Sequence, residues 1–214
     1  MASLPFEPCS SMCISGQTGS GKTMWLFKFL KNVKHMYSRN PPIHILYCYG
    51  IDQPLIKQME RELSNFTARQ GLPTIEELED YTKDRHHKLI IIDDLMHEVI
   101  HNKEMELLFT QGTHHRCVSV ILITQNLFPQ GKHARTIALN TWYMVLMKNV
   151  RDVSQIGILG RQLFPGKMRG FLKAYEDGLS HGYFVVDMSP HADDRYRLRT
   201  RIFPGEEPIV YRLT

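Results

Sequence analysis

The residues that could do chemistry begin at 16, where the chain reads Gly16-Gln17-Thr18-Gly19-Ser20-Gly21-Lys22-Thr23 between an apolar stretch, Met12-Cys13-Ile14, and a second one, Met24-Trp25-Leu26-Phe27. This fits the spacing G-x-x-x-x-G-K-[ST], which wraps backbone N–H groups around the phosphates of a nucleotide. Gly16, Gly19 and Gly21 permit the backbone angles and close approach that such a loop requires. The following helix adds its positive N-terminal end. On this reading Lys22 reaches the β- and γ-phosphates of ATP, and the Thr23 hydroxyl ligates Mg²⁺.

A second group follows in Ile90-Ile91-Ile92-Asp93-Asp94. A carboxylate ending a buried strand is costly to desolvate unless a cation offsets it, so Asp93 is expected to be the outer partner of Mg²⁺. Asp94 then faces the γ-phosphate side, where a water-orienting carboxylate belongs. The alternative is a strand closed by an acidic turn or helix cap. Thr124-Gln125-Asn126 ends another apolar run. Parallel strands deliver their C-terminal ends to one crevice, which predicts that Gln125 arrives beside Asp93 and Asp94 as a sensor of the γ-phosphate. A polar loop residue without a role is the competing reading.

These residues need an α/β scaffold to hold them. Strand and helix signals alternate from the N-terminus, which argues for parallel strands joined by helical crossovers. Strands are expected at 12–15, from Ile43 in IHILYCYG, at KLIIIDDL, at VSVILITQN and at TWYMVLMKN. Helices are expected from Gly21 to about Met36, across QPLIKQMERELSNFTARQG as one amphipathic element, near 103–111, and in RDVSQIGILGRQLFP. Acidic TIEELEDY reads as a continuing connection. Beyond about Gly182, YFVVDMS and RYRLRTRIF form an antiparallel pair at the sheet edge. The strand 43–50, lying in sequence between the glycine loop and the acidic strand, is expected to be the extra strand separating them, as in the ASCE division of P-loop NTPases.

The 214 residues suffice for one sizeable core, and a single domain over 1–214 is expected, with edge strands and tail from about 183. Hydrophobic content of 43% and charged content of 22% exclude disorder and fibrous repeats. No apolar run reaches the roughly 18 to 20 residues of a membrane span, so no membrane partner is expected and the chain reads as soluble and unexported. Cys9, Cys13, Cys48 and Cys117 lack C-x-x-C spacing and read as reduced core residues. The net charge of +4 permits a polyanionic partner without requiring one.

GQTGSGKT, LIIIDDLM, THHRCVSVILITQNLFPQGKHARTIALN and MVLMKNVRDVSQIGILGRQLFPGK together resemble the genome-packaging ATPases of the FtsK/HerA superfamily, of the type found in poxvirus-like large DNA viruses and in adintoviruses and Polinton (Maverick) elements. The resemblance covers nearly the whole chain. It implies a RecA/FtsK-HerA-like fold and a homo-oligomeric ring, pentamer or hexamer, that couples ATP hydrolysis to translocation of double-stranded DNA into a preformed capsid. It also implies a capsid or portal vertex partner, and an intracellular location at a host nuclear or cytoplasmic assembly site, in association with the virion. An arginine from the neighbouring subunit completes such sites. Arg116 matches that position best, with His114 and His115 standing where related motors often place it, and Arg135, Arg151 and Arg161 as competitors. Many relatives have glutamate where this chain has Asp94, so Glu98 is a second candidate for holding water. Another nucleic-acid motor, such as a helicase or conjugative pump, an ATP-binding assembly scaffold and a small-molecule kinase are the other readings.

Residues 195–201 read Arg-Tyr-Arg-Leu-Arg-Thr-Arg. As a strand they would place Arg195, Arg197, Arg199 and Arg201 on one face at about 6.5 to 7 Å intervals, close to the phosphate spacing of a nucleic-acid strand. A water-facing edge strand whose charges discourage edge-to-edge pairing, or an intersubunit surface meeting Asp193 and Asp194, is the alternative.

Overall fold

The computed structural model describes residues 4–112, 116–150 and 153–213, with Gln111 by its backbone alone. Its nine strands are β1 (Ser11–Ser15), β2 (Ile45–Tyr49), β3 (Phe66–Gln70), β4 (Lys88–Asp93), β5 (Val118–Thr124), β6 (Tyr143–Leu146), β7 (Phe184–Asp187), β8 (Leu198–Thr200) and β9 (Ile209–Val210). They form one sheet in the order β3-β2-β4-β5-β1-β6-β7-β8-β9. The first six in that order are mutually parallel, and β7, β8 and β9 continue antiparallel. This is the expected α/β class, with a mostly parallel sheet and antiparallel edge strands at the C-terminal end.

The helices are α1 (Lys22–Lys31), α2 (Val33–Met36), α3 (Pro54–Glu62), α4 (Ile75–Thr82), α5 (Met96–His101), α6 (Lys103–Leu107), α7 (Ala134–Leu139), α8 (Val153–Leu163) and α9 (Met168–Ser180), with a π-helical turn at Leu108–Gly112. The period-two alternation of the central strands sorts their side chains between two layers. Met12, Ile14, Leu89, Ile91, Ile121, Ile123 and Val145 face a core closed by Trp25, Leu26, Phe29 and Leu30 of α1 and by Ile56 and Met59 of α3. Ile90, Ile92, Val120 and Leu122 face the other way, toward Leu78, Val99 and Met105 of α4, α5 and α6. Met144, Leu146, Phe184 and Val186 pack on Ile156, Leu159, Phe171 and Tyr175 of α8 and α9.

Several expectations are corrected. The strand between β1 and the acidic strand β4 is β5, while β2 lies on the far side of β4. Order along the chain does not give order across a sheet when crossovers skip a strand. The helix from Gly21 breaks at Asn32 into α1 and α2. The single helix expected over 53–71 is α3 followed by β3, which supplies the partner that the outer edge of β2 needs; its half-exposed residues gave no apolar run. TIEELEDY is helical, and Thr74 and Glu77 form a reciprocal capping box at its start. Helices α7 and α9 lay in stretches without an expectation.

The continuous strand expected over residues 195–201, which would have set four arginines in a row, is also overturned. Asp194–Tyr196 is a 3-10 turn, β8 spans only three residues, and Arg201 has a left-handed φ of 55°. Arg195 pairs with Asp193 at 2.6 Å, and Arg197 pairs with Asp194 at 2.5 Å. Arg199 is buried, with Nη1 donating to Asp187 Oδ2 at 3.0 Å and to the Tyr196 carbonyl at 3.0 Å. Asp193, Asp194 and Asp187 hold these three guanidinium groups.

Candidate nucleotide site

The glycine loop joins β1 to α1 at the C-terminal edge of the parallel strands. Gly19 and Gly21 take φ values of 76° and 93°, which side chains with a Cβ rarely adopt. At Gly16 a Cβ would come within 2.6 Å of Ser20 Oγ and 2.8 Å of Met147 Cβ, so close packing also demands glycine there. The loop is tied to its neighbours: the Gly16 amide donates to the Thr124 carbonyl at 3.3 Å, the Gln17 amide to the Lys148 carbonyl at 3.3 Å, and the Val150 amide to Gln17 Oε1 at 3.1 Å. Lys22 Nζ donates to the carbonyls of Gly16 and Gln17 at 2.6 and 2.9 Å, which folds the ammonium over the loop.

Alternation along β4 explains how the acid arrives. Asp93 shares the face of Leu89 and Ile91, the face covered by α1, so its carboxyl comes to the end of α1 that carries Lys22 and Thr23. Asp94 begins the turn into α5 in a left-handed conformation, φ 58°, which points it away from the strand and leaves it exposed. Thr18, Gly19, Lys22, Thr23, Asp93, Asp94, Thr124, Gln125 and Asn126 line one cavity of about 520 Å³. Gln125 Oε1 accepts from Thr18 Oγ1 at 3.1 Å, so the end of β5 is hydrogen-bonded to the phosphate loop. The backbone turn after it is fixed by Asn126, whose amide donates to Thr124 Oγ1 at 3.1 Å and whose Oδ1 accepts from Phe128 N and Gln155 Nε2.

Two residues escaped the sequence reading. Tyr47, fully buried on β2, donates its hydroxyl to Asp93 Oδ2 at 2.5 Å. It lies on the α1-facing side of its strand, as Asp93 does on β4, and the register of β2 with β4 places it two residues before the partner of Asp93. Gln53, just before α3, is also on the cavity wall with Ile51. Neither carries a signal until strand order is known.

The electrostatics follow from burial. Desolvation raises the Asp93 carboxyl above the ordinary carboxylate range, Asp94 adds to the rise, and the Tyr47 hydrogen bond and Lys22 oppose it. Desolvation lowers the Lys22 ammonium, against the pull of Asp93 and Asp94. The Tyr47 hydroxyl is raised by burial and by the adjacent carboxylate. A cation between these groups would hold Asp93 ionised. The donors present, a carboxylate and the Thr23 hydroxyl, are hard oxygens, and no described residue hydrogen-bonds to that hydroxyl, so the set fits Mg²⁺.

Arg116 is exposed and precedes β5, so it lies at the other end of that strand from Gln125, with a seven-residue strand of about 23 Å between them. It borders a smaller cavity with Ile75, Glu79, Glu104 and Leu107, and it does not line the nucleotide cavity of its own chain. Arg135 and Arg161 are exposed on α7 and α8. His114, His115 and Arg151 lie outside the described residues. Glu98 is exposed on α5 and is not on the cavity wall, which Asp94 is. Among the described residues no helix is long and apolar enough to cross a membrane.

Comparison with known proteins agrees with this geometry. The DNA-packaging ATPase B204 from Sulfolobus turreted icosahedral virus superposes with a TM-score of 0.56 at 10% identity, over 98% of this chain and 100% of that one. The genome packaging NTPase B204 from Sulfolobus turreted icosahedral virus 2, in complex with sulfate, superposes with a TM-score of 0.51 at 8% identity, over 96% and 97% of the two chains. At such identities the likeness is one of fold. None of the curated proteins matches the sequence. Residues 3–156 match the family model of the poxvirus A32 protein, most of the chain and the whole of the site built above, and the chain therefore belongs to the poxvirus A32 protein family.

Proposed function

We propose that this protein is an ATP-hydrolysing motor that moves double-stranded DNA into a preformed capsid. The observation that carries the reading is the convergence of Lys22, Thr23, Asp93, Asp94 and Gln125 on one cavity at the C-terminal ends of parallel strands, in a chain of the poxvirus A32 family. The structural neighbours, described as DNA-packaging and genome-packaging enzymes, support it.

In this mechanism the amides of residues 16–22 surround the phosphate oxygens, and the positive end of α1 adds to their pull. Lys22 leaves the loop carbonyls for the β- and γ-phosphates. Thr23 and Asp93 would hold Mg²⁺, which when bound would neutralise charge on the phosphates. Asp94, exposed at the cavity wall, accepts a hydrogen bond from the attacking water and sets its direction. Gln125 presents its amide to the γ-phosphate, and its contact with Thr18 passes the loss of that phosphate to the loop. Arg116 acts on the neighbouring subunit's nucleotide, because it sits at the opposite end of the sheet from its own. A homo-oligomeric ring, pentameric or hexameric, is what brings that end of one subunit to the cavity of the next. A capsid or portal vertex protein is the partner of the ring at an intracellular assembly site.

ATPase activity measured with and without duplex DNA, alongside the oligomeric mass, tests the reading. Duplex-stimulated hydrolysis by an oligomer is expected. Stimulation by single strands alone would replace the packaging motor with a helicase, and nucleotide-driven assembly without turnover would replace it with a scaffold.

A further inference from the structure

Cys9 and Cys117 lie at the edge of the sheet opposite the nucleotide cavity, and nothing in the proposed hydrolysis uses them. Both are free and half-buried, and both line a cavity of about 670 Å³ with Arg39, Trp142 and His191. The strand register brings them together. Ser11 of β1 stands opposite Val120 of β5, and the pairing runs one residue further back: the Val120 amide donates to the Ser10 carbonyl at 3.0 Å, and the Ser10 amide to Ser119 Oγ at 3.3 Å. One step earlier, the same register sets Cys9 opposite Val118, the residue that follows Cys117. Neighbouring strands run about 4.8 Å apart and one residue along a strand adds about 3.3 Å, so a diagonal neighbour lies about 5.8 Å away, within the roughly 4.4 to 6.8 Å between Cα atoms that a disulfide spans. Both cysteines adopt left-handed backbone, φ 55° and 53°, at positions where most non-glycine residues do not. The neighbouring Cys117 sulfur adds to the rise that burial imposes on the Cys9 thiol.

We propose that Cys9 and Cys117 are a reversible dithiol–disulfide pair, oxidised by hydroperoxides. The Cys117 sulfur, as thiolate, attacks a peroxide oxygen; the O–O bond breaks, an S–O bond forms, and the departing oxygen leaves as water after taking up a proton. The Cys9 sulfur then displaces the hydroxyl of the Cys117 sulfenic acid. The S–S bond forms as the S–O bond breaks, and the Cys9 proton leaves in a second water. The two thiols together lose two electrons and two protons, and hydrogen peroxide is reduced to two waters.

The surroundings suit this division of labour. Burial pushes the Cys9 thiol up to about 12, against the pull of the Arg39 guanidinium on the same cavity, as expected of the partner that stays protonated until the second step. Cys13 and Cys48 are buried in β1 and β2, with thiols likewise pushed up to about 12 by burial, and they serve as internal controls. The bond would tie the segment before β1 to the residue after Arg116, closing a loop on the order of 100 residues. The proposal stands apart from the assignment of the nucleotide site.

The test is oxidation of the full chain with hydrogen peroxide, followed by alkylation, non-reducing digestion and mass spectrometry. Expected are a peptide pair joining Cys9 to Cys117 within one chain, an intact mass lower by about 2 Da, reversal by dithiothreitol, and Cys13 and Cys48 still reduced. In Cys9→Ser, Cys117 is expected to remain as sulfenic acid that dimedone traps, or to oxidise further. A wild-type chain in which Cys9 and Cys117 are both still alkylated after oxidation, or in which Cys117 gives a dimedone adduct or sulfinic acid without the cross-link, overturns the proposal. So does a cross-link formed only between chains. The wild-type result decides even if the variant fails to fold.

Discussion

The Tyr47 hydroxyl and the Asp93 carboxyl meet at 2.5 Å across the β2–β4 pair, the one fully buried and the other 6% exposed. A charge-assisted hydrogen bond of this kind contributes about 1.5 to 3 kcal/mol. It also leaves one carboxylate oxygen of Asp93 for the cavity side. Tyr47→Phe is therefore expected to destabilise the nucleotide-free protein by about that amount, read as a lower urea midpoint with unchanged slope. The magnesium concentration for half-maximal ATPase should rise as well. A variant with wild-type stability and magnesium dependence would show that the contact holds nothing in place.

Asp93 itself is expected to oppose folding at neutral pH. Burial raises its pKa above the unfolded value. Such a carboxyl holds its proton better when folded, so its favourable contribution is complete below a pH of about 4 and is lost as pH rises through the folded value. Asp93→Asn should raise the Tm of the nucleotide-free protein near pH 7, by about 2 to 4 °C for each kcal/mol recovered. The gain should shrink toward pH 4. On the proposed mechanism the same change should lower ATP hydrolysis by at least about 10²-fold, since the carboxylate assigned to magnesium is lost. Thermal scans across pH, paired with turnover assays, check both halves.

Gln125 is expected to separate binding from turnover. Its Oε1 is held by Thr18 on the phosphate loop at 3.1 Å. Gln125→Ala should leave ATP affinity within a few fold and reduce kcat by about 10²-fold, because a group acting on the γ-phosphate in the transition state lowers kcat more than it raises KM. Thr18→Val should give a smaller loss of the same kind. Calorimetry for binding and single-turnover hydrolysis for chemistry distinguish the two.

Arg116 allows a complementation experiment. It precedes β5 while the nucleotide cavity lies beyond the end of that strand. Arg116→Ala is expected to lose about 10³-fold in hydrolysis, the lower range for an arginine supplied by a neighbour. Lys22→Ala disables the cavity of its own subunit. Mixing the two variants should restore activity, because some interfaces then join an intact Arg116 to an intact Lys22. An Arg116→Ala protein with full activity would transfer the role to another arginine.

How far the sequence could be read follows from the same particulars. That the glycine loop, Asp93, Asp94 and Gln125 meet at one cavity was legible because each motif ends a strand, and parallel strands share one crevice. Tyr47 was not, because its role depends on β2 lying beside β4, and the order along the chain had suggested that β2 lies between β1 and β4. Phe66–Gln70 was folded into the preceding helix because an edge strand with half-exposed residues shows no apolar run. The thiol pair needed the β1–β5 register, which relates residues more than a hundred positions apart.

The arginines of 195–201 failed as a row for a reason that itself makes a prediction. Arg199 is 3% exposed and pairs with Asp187, while its Nε and Nη2 find no hydrogen-bond partner among the described residues. A buried ion pair is costly to break from one side because the remaining charge is left uncompensated. Asp187→Asn should therefore destabilise the protein by about 3 to 5 kcal/mol. It should do so without weakening DNA binding measured at a temperature where the variant is folded. Replacing Arg195 and Arg197, whose guanidinium groups are held by Asp193 and Asp194, should change the salt slope of DNA binding by less than one unit, since a lost phosphate contact changes it by about 0.9. A fall of two units in that slope would return both arginines to the DNA surface. It would also mean that their carboxylate partners release them when the duplex arrives.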